Sequence, residues 1–188
     1  MDAKKLIVIT GPAGSGKTSL RDYVIDKYHA AKVITHTTRA PRYGEQNGID
    51  YYFENNESFN QLHLLEHVEY SNAKYGSSME GINEAWSKND LAIIVLDTLG
   101  ASTYKEKLGD QAIVWFVQVN DPVILRERMI KRGDDIERVN QRISSNEYKR
   151  DIEIPDNLKD VATVIENNDW QKAQNQVDEL IKTIKKKT

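Results

Sequence analysis

The 188-residue chain is 39% hydrophobic and 29% charged, which suits one α/β domain with small insertions and enough apolar surface to bury a core. Its 26 basic residues against 29 acidic ones leave a net charge of −3, so no global basic field directs it to DNA or RNA. It has no cysteine, which excludes disulfides, thiolate catalysis and Cys-ligated zinc, and His29, His36, His63 and His67 lack metal-ligand spacing.

Residues 5–10 form an apolar run that reads as a buried strand, entered directly from the N-terminus, which predicts no leader peptide. Gly11-Pro12-Ala13-Gly14-Ser15-Gly16-Lys17-Thr18 follows and fits G-x-x-x-x-G-K-[ST]. In this phosphate-binding loop the glycines let the backbone turn its N–H groups onto phosphate oxygens, and Lys17 supplies a mobile positive charge. The Thr18 hydroxyl is a ligand for Mg²⁺. Leu20, Val24, Ile25 and Tyr28 then recur at helical spacing, so a helix over 18–28 points its N-terminus at the phosphates.

Residues 32–35 read as a short strand. The next segment, 36–53, is polar and carries Arg39, Pro41, Arg42 and Gly44, and its Asn47-Gly48 predicts a hairpin leading into a strand over 49–53. A short helix over 57–65 opened by Asn56, an extended stretch over 66–70, a turn over 71–76 and a helix over 79–88 complete an inserted subdomain, 36–88. The sheet resumes at 91–97, whose apolar run, 91–96, is the longest in the chain and far too short to span a bilayer. A helix over 101–108 and a strand over 112–119 follow. Asp121-Pro122 is an N-cap followed by an N1 proline and opens a helix running to Arg132-Gly133. A second helix, 136–150, carries Arg138 and Arg142, and 128–150 has the basic, glycine-containing character of a lid. A last strand over 161–165 and a closing helix with Trp170, Val177, Leu180, Ile181 and Ile184 on its apolar face end the pattern. The expected fold is α/β, a doubly wound parallel sheet with the phosphate loop at its carboxyl edge, built from 1–35, 89–127 and 151–188.

The segment Thr35-His36-Thr37-Thr38-Arg39-Ala40-Pro41-Arg42-Tyr43-Gly44-Glu45-Gln46-Asn47-Gly48-Ile49-Asp50-Tyr51 resembles the guanylate kinase signature. Leu65-Glu66, Lys74-Tyr75-Gly76-Ser77, Asp97-Thr98-Leu99-Gly100, Arg132-Gly133, Gln141-Arg142 and Ile165-Glu166-Asn167 continue the resemblance over nearly the whole chain. It implies transfer of the γ-phosphoryl of ATP to GMP, with ATP and GMP as partners and Mg²⁺ as cofactor; the net charge, the direct entry into the first strand and the short apolar runs predict a cytoplasmic protein without nucleic acid or membrane as partner. Both monomer and homodimer remain compatible with it. On this template Gly11, Ala13, Gly14, Ser15, Gly16, Lys17, Thr18 and Ser19 hold ATP, with Asn167 beside its adenine. Thr35, Arg39, Arg42, Tyr51, Glu66, Tyr75, Ser77 and Asp97 hold GMP, and Lys17, Arg132 and Arg142 surround the moving phosphoryl group.

The chemistry of the residues agrees with the template. Arg39 and Arg42 lie three apart, so two guanidinium forks can converge on one phosphate. An ionised Glu66 accepts the N1–H and 2-amino protons of guanine together, whereas adenine would set a lone pair against it. The family's strand ends in acid–x–acid; here the first acid is Val95, which implies a lower rate. A kinase with altered acceptor preference is opposed by Glu66 and Thr35, and a non-catalytic binding module by Lys17, Thr18, Arg39 and Arg42.

Overall fold

A computed structural model of the chain describes residues 4–41, 43–70 and 73–186. Arg42 lies outside the described residues. Along the chain the strands are β1 (Lys5–Thr10), β2 (Ala31–Lys32), β3 (His36–Thr37), β4 (Tyr52–Phe53), β5 (Leu64–Tyr70), β6 (Ala73–Ser78), β7 (Leu91–Val95), β8 (Ala112–Gln118) and β9 (Thr163–Glu166). The helices are α1 (Lys17–Tyr28), α2 (Asn56–Asn60), α3 (Met79–Lys88), α4 (Thr98–Leu108), α5 (Pro122–Lys131), α6 (Ile136–Ser144), α7 (Asn146–Asp151) and α8 (Trp170–Lys186).

The main sheet runs β2-β7-β1-β8-β9, and all of its pairings are parallel. Its strands are apolar almost throughout because both faces are covered. Alternation along β1 divides the core in two. Leu6 and Val8 join Ile82, Ala85 and Trp86 of α3 and Ala101 and Tyr104 of α4. Ile7 and Ile9 point the other way and join Leu20 and Val24 of α1 and Ala173, Val177 and Ile181 of α8. Each such aliphatic side chain, fully buried, contributes about 1.5–3 kcal/mol relative to exposure. A third cluster, Leu125, Met129, Val139 and Tyr148, joins α5, α6 and α7 beside Val119.

The second sheet, β4-β3-β6-β5, comes from the segment between α1 and α3. Its β3–β4 pairing is parallel, while β3–β6 and β5–β6 are antiparallel. Several sequence expectations change here. Asn47-Gly48 makes a loop rather than a hairpin: β4 pairs parallel to β3, and the Asn47 Oδ1 accepts from Phe53 N at 2.8 Å to close the turn. The expected turn over 71–76 includes two residues outside the described set, and its other four, 73–76, belong to strand β6. Gly76 is paired in that strand, where an added Cβ would lie 3.0 Å from Glu66 O, so it is a packing glycine. The helix expected over 136–150 breaks at Ser145, whose backbone is extended and whose Oγ accepts from Tyr148 N at 3.1 Å. Serine competes for backbone partners within a helix and serves well as the cap of the next one.

Candidate active site

The loop after β1 gets its shape from glycines that no other residue can replace. Gly11 and Gly14 have φ values of 130° and 83°, and a Cβ on them would stand 2.4 Å from Val117 O and 2.5 Å from Leu125 O. The first hydrogen bond of α1 runs from Leu20 N to Gly16 O at 3.0 Å, so the N–H groups of Gly16, Lys17, Thr18 and Ser19 have no acceptor within the helix. These donors lie at the positive end of the helix dipole, where phosphate oxygens are favoured. Ser15 Oγ is buried with no partner among the described residues. Lys17 Nζ donates to Gly11 O at 2.6 Å and to Pro12 O at 2.8 Å. Burial pulls the pKa of Lys17 down to about 8, with Asp151 the strongest opposing influence and Arg142 and Arg132 adding to the depression. An anion with several negative oxygens would relieve that cost, so the loop fits a polyphosphate.

Asn167 packs behind the loop. Its Nδ2 donates to Ser15 O at 2.7 Å, its carbonyl accepts from Arg128 Nη2 at 2.9 Å, and its buried Oδ1 has no partner among the described residues. The side chain thus braces the phosphate loop.

A cleft of about 340 Å³ opens beside the loop and joins the two sheets. Gly11, Ala13 and Lys17 line one end, and Thr35, Tyr51, Glu66 and Tyr75 line the other. Val95, Asp97, Arg142, Glu147 and Asp151 lie on the walls. Glu66 and Ser77 are cross-strand partners on β5 and β6, next to an irregularity in the ladder between Leu64 and Glu66. Ser77 is fully buried, and its Oγ donates to Glu66 Oε1 at 2.6 Å. Burial raises the pKa of Glu66, an effect that the Ser77 hydrogen bond opposes. Tyr51 and Tyr75 meet edge to face with ring centroids 6.3 Å apart. Arg39 stacks over Tyr51 at 5.6 Å and over Phe53 at 5.9 Å, and its Nη2 donates to both oxygens of Glu45 at 2.9 Å. Thus two tyrosines and a carboxylate line one end of the cleft, with Arg39 stacked on Tyr51 beside it.

Other expected residues are less close. Arg132 is 54% exposed and paired with Asp134, Nε to Oδ1 at 2.9 Å, away from the lining of the cleft. Arg142 lines the cleft. Asp97 caps α4 by accepting from Gly100 N at 2.7 Å, and its Oδ2 accepts from Arg150 Nη2 at 2.8 Å. Thr18 and Ser19 are exposed at the start of α1. The sequence reading had not singled out Arg150, Glu147 or Asp151. Charged residues on a short helix read as a solvated face, and only the packing of α7 onto the start of α4 brings Glu147 and Asp151 to the cleft and Arg150 onto Asp97 and Asp151.

These features define a phosphate-loop α/β protein whose cleft joins an anion-binding loop to a second, polar recognition end. Residues 3–184 match the family model described as Guanylate kinase. A guanylate kinase of Latilactobacillus sakei subsp. sakei is 34% identical over 138 residues, covering 69% of this chain and 66% of that protein. A guanylate kinase of Desulfotalea psychrophila is 30% identical over 184 residues, covering 90% of each. The crystal structure of guanylate kinase from Anaplasma phagocytophilum superposes with a TM-score of 0.64 at 22% identity, covering 97% of this chain and 87% of that one, and shares the fold. The chain belongs to the guanylate kinase family. Among the described residues no helix is long and apolar enough to cross a membrane.

Proposed function

We propose that this chain transfers the γ-phosphoryl group of ATP to GMP or dGMP, giving ADP and GDP or dGDP. One observation carries the reading: a half-buried carboxylate, Glu66, held by Ser77, sits in the same cleft as Lys17 and the phosphate loop. An ionised carboxylate accepts two adjacent donors, which guanine offers and adenine, cytosine and uracil do not offer in that arrangement. GMP then occupies the end lined by Thr35, Tyr51, Glu66 and Tyr75, with Ser77 behind Glu66 and Asp97 on the wall. Arg39 and Arg42, together with the tyrosine hydroxyls, hold its phosphate. ATP occupies the loop from Gly11 to Ser19, with Asn167 fixing the loop from behind.

The residues fit a divalent metal shared with the nucleotide. Among the described residues no group of three or more His, Asp and Glu could hold an ion alone. The exposed Thr18 hydroxyl beside the loop donors suits Mg²⁺, which keeps water and takes phosphate oxygens as ligands. When bound, the metal neutralises charge on the phosphates. The chain's own part is positioning. Lys17 leaves its backbone acceptors for the β- and γ-phosphates, and Arg142 and Arg132 approach as 128–150 closes as a lid over 1–35, 89–127 and 151–188. The subdomain 36–88 carries the acceptor toward the donor, and closure excludes water as a competing acceptor.

A coupled assay with ATP, Mg²⁺ and each nucleoside monophosphate in turn tests the reading. GMP and dGMP should turn over, and AMP, CMP and UMP should be poor acceptors. Equal turnover of AMP and GMP would overturn it.

A further inference from the structure

A carboxylate close to a phosphate-transfer site needs a cation between it and the phosphates, because alone it repels them. The cleft contains such a carboxylate in Asp151, at the end of α7. Its Oδ1 accepts three hydrogen bonds: from Thr98 Oγ1 at 2.5 Å, from Thr98 N at 3.3 Å and from Arg150 Nε at 2.9 Å. Its Oδ2 accepts none among the described residues. The side chain is only 14% exposed. Thr98 is itself fully buried at the start of α4, so the clamp is rigid. One oxygen is therefore fixed and the other is left for the cleft.

The other acids of the cleft are differently engaged. Asp97 spends one oxygen on Gly100 N and the other on Arg150. Glu66 is tied to Ser77 at the recognition end. Glu147 is exposed, with no side-chain hydrogen bond among the described residues. Val95, which also lines the cleft, offers no side-chain acceptor. Asp151 is also the acid that acts most strongly on Lys17, which puts it on the donor side of the cleft.

We propose that Asp151 is a positioning residue for the nucleotide-bound metal: clamped through Oδ1 by Thr98 and Arg150, it uses Oδ2 to accept hydrogen bonds from the water shell of the Mg²⁺ carried on the donor phosphates. Such outer partners orient the water ligands and raise the affinity of the metal for its site. The inference rests on the reading that the loop binds ATP with Mg²⁺.

The test compares ADP affinity with and without Mg²⁺ by calorimetry, with GMP present throughout. The quantity read is the factor by which the metal strengthens ADP binding. Asp151→Asn keeps an oxygen for Thr98 but loses the charge, and a thermal melt checks that it folds. In this variant the factor should fall about tenfold or more, while ADP affinity without metal holds or rises as a repulsive charge is removed. Thr98→Val removes one of the three bonds of the clamp without touching the carboxylate and should lower the factor by a smaller amount. An unchanged factor in Asp151→Asn would overturn the proposal. So would an equal loss of metal-free and metal-bound affinity, which would make Asp151 a partner of Lys17 or of the fold. Absence of GMP phosphorylation by the unaltered protein would instead overturn the reaction assigned above, and the ADP measurement is independent of it.

Discussion

Glu66 keeps a charge that its surroundings oppose. Burial raises its pKa, so the carboxylate takes up a proton at a higher pH than a solvated glutamate does, and the Ser77 hydrogen bond only partly offsets this. The sign follows directly. The protonated form can no longer accept two donors, so GMP affinity should fall as pH drops from neutral toward the raised pKa. The phosphate of GMP itself titrates near ~6, so the readout is the difference between the unaltered protein and Glu66→Gln. The variant should bind GMP on the order of tenfold to a hundredfold more weakly at neutral pH, the effect of leaving a buried donor facing a donor. It should also lose the extra acid dependence. Identical pH profiles for the two proteins would contradict the role of the Glu66 charge. Arg39 makes a second case at this scale. It is already oriented by Tyr51, Phe53 and Glu45, so a phosphate can join it with little ordering cost. Arg39→Ala should cost GMP binding about 1.5–3 kcal/mol, the worth of a charge-assisted bond, and leave ATP binding almost unchanged in calorimetry. A larger loss for ATP would exchange the two ends of the cleft.

At the scale of elements, the turn between β1 and α1 is set by backbone clearance as much as by conformation. Gly14 has φ at 83° and no room for a Cβ beside Leu125 O, so Gly14→Ala must push the loop away from α5. ATP affinity should fall more than about tenfold, since several N–H groups lose their aim together, while GMP affinity holds. Calorimetry with each nucleotide separately checks this, and an equal loss for both would point to general unfolding. This element was legible in the sequence because its signals are local: an apolar run, fixed glycine spacing and helical recurrence. The same holds for α5, whose Asp121 cap and Pro122 stand where the sequence implies. The second sheet was less legible. Gly76 has the look of a turn but serves a strand, because what demands a glycine is the approach of Glu66 O and Phe59 from elsewhere. Asn47-Gly48 signals a hairpin only if the flanking strands pair antiparallel, and β3 and β4 pair parallel instead. The break at Ser145 and the contacts of Arg150 and Asp151 with Asp97 and Thr98 depend on where α7 packs, which no local pattern encodes.

For the molecule as a whole, the arrangement of cores bears on how it moves. The two large apolar clusters lie on the faces of the main sheet and include α1, α3, α4 and α8. The smaller cluster of α5, α6 and α7 touches that body through Val119 and the loop residue Ala13, and through polar contacts that include Arg150 to Asp97 at 2.8 Å, Thr98 to Asp151 at 2.5 Å and Arg128 to Asn167 O at 2.9 Å. The second sheet faces it across the cleft with Tyr51, Glu66 and Tyr75. Apolar cores and the clamp on Asp151 resist deformation, whereas exposed polar contacts such as Arg132 to Asp134 can be exchanged for contacts to a ligand at little net cost. The segment 128–150 and the second sheet are therefore the parts that should close when both nucleotides bind, bringing Arg132 in from its exposed pairing with Asp134. Solution X-ray scattering of the free protein, of the protein with each nucleotide, and with ADP and GMP together measures this. The radius of gyration should decrease stepwise and be smallest in the doubly bound state. Superimposable profiles for the free and doubly bound protein would show a cleft already set for catalysis, with Arg132 outside it, and would remove that arginine from the transferring site.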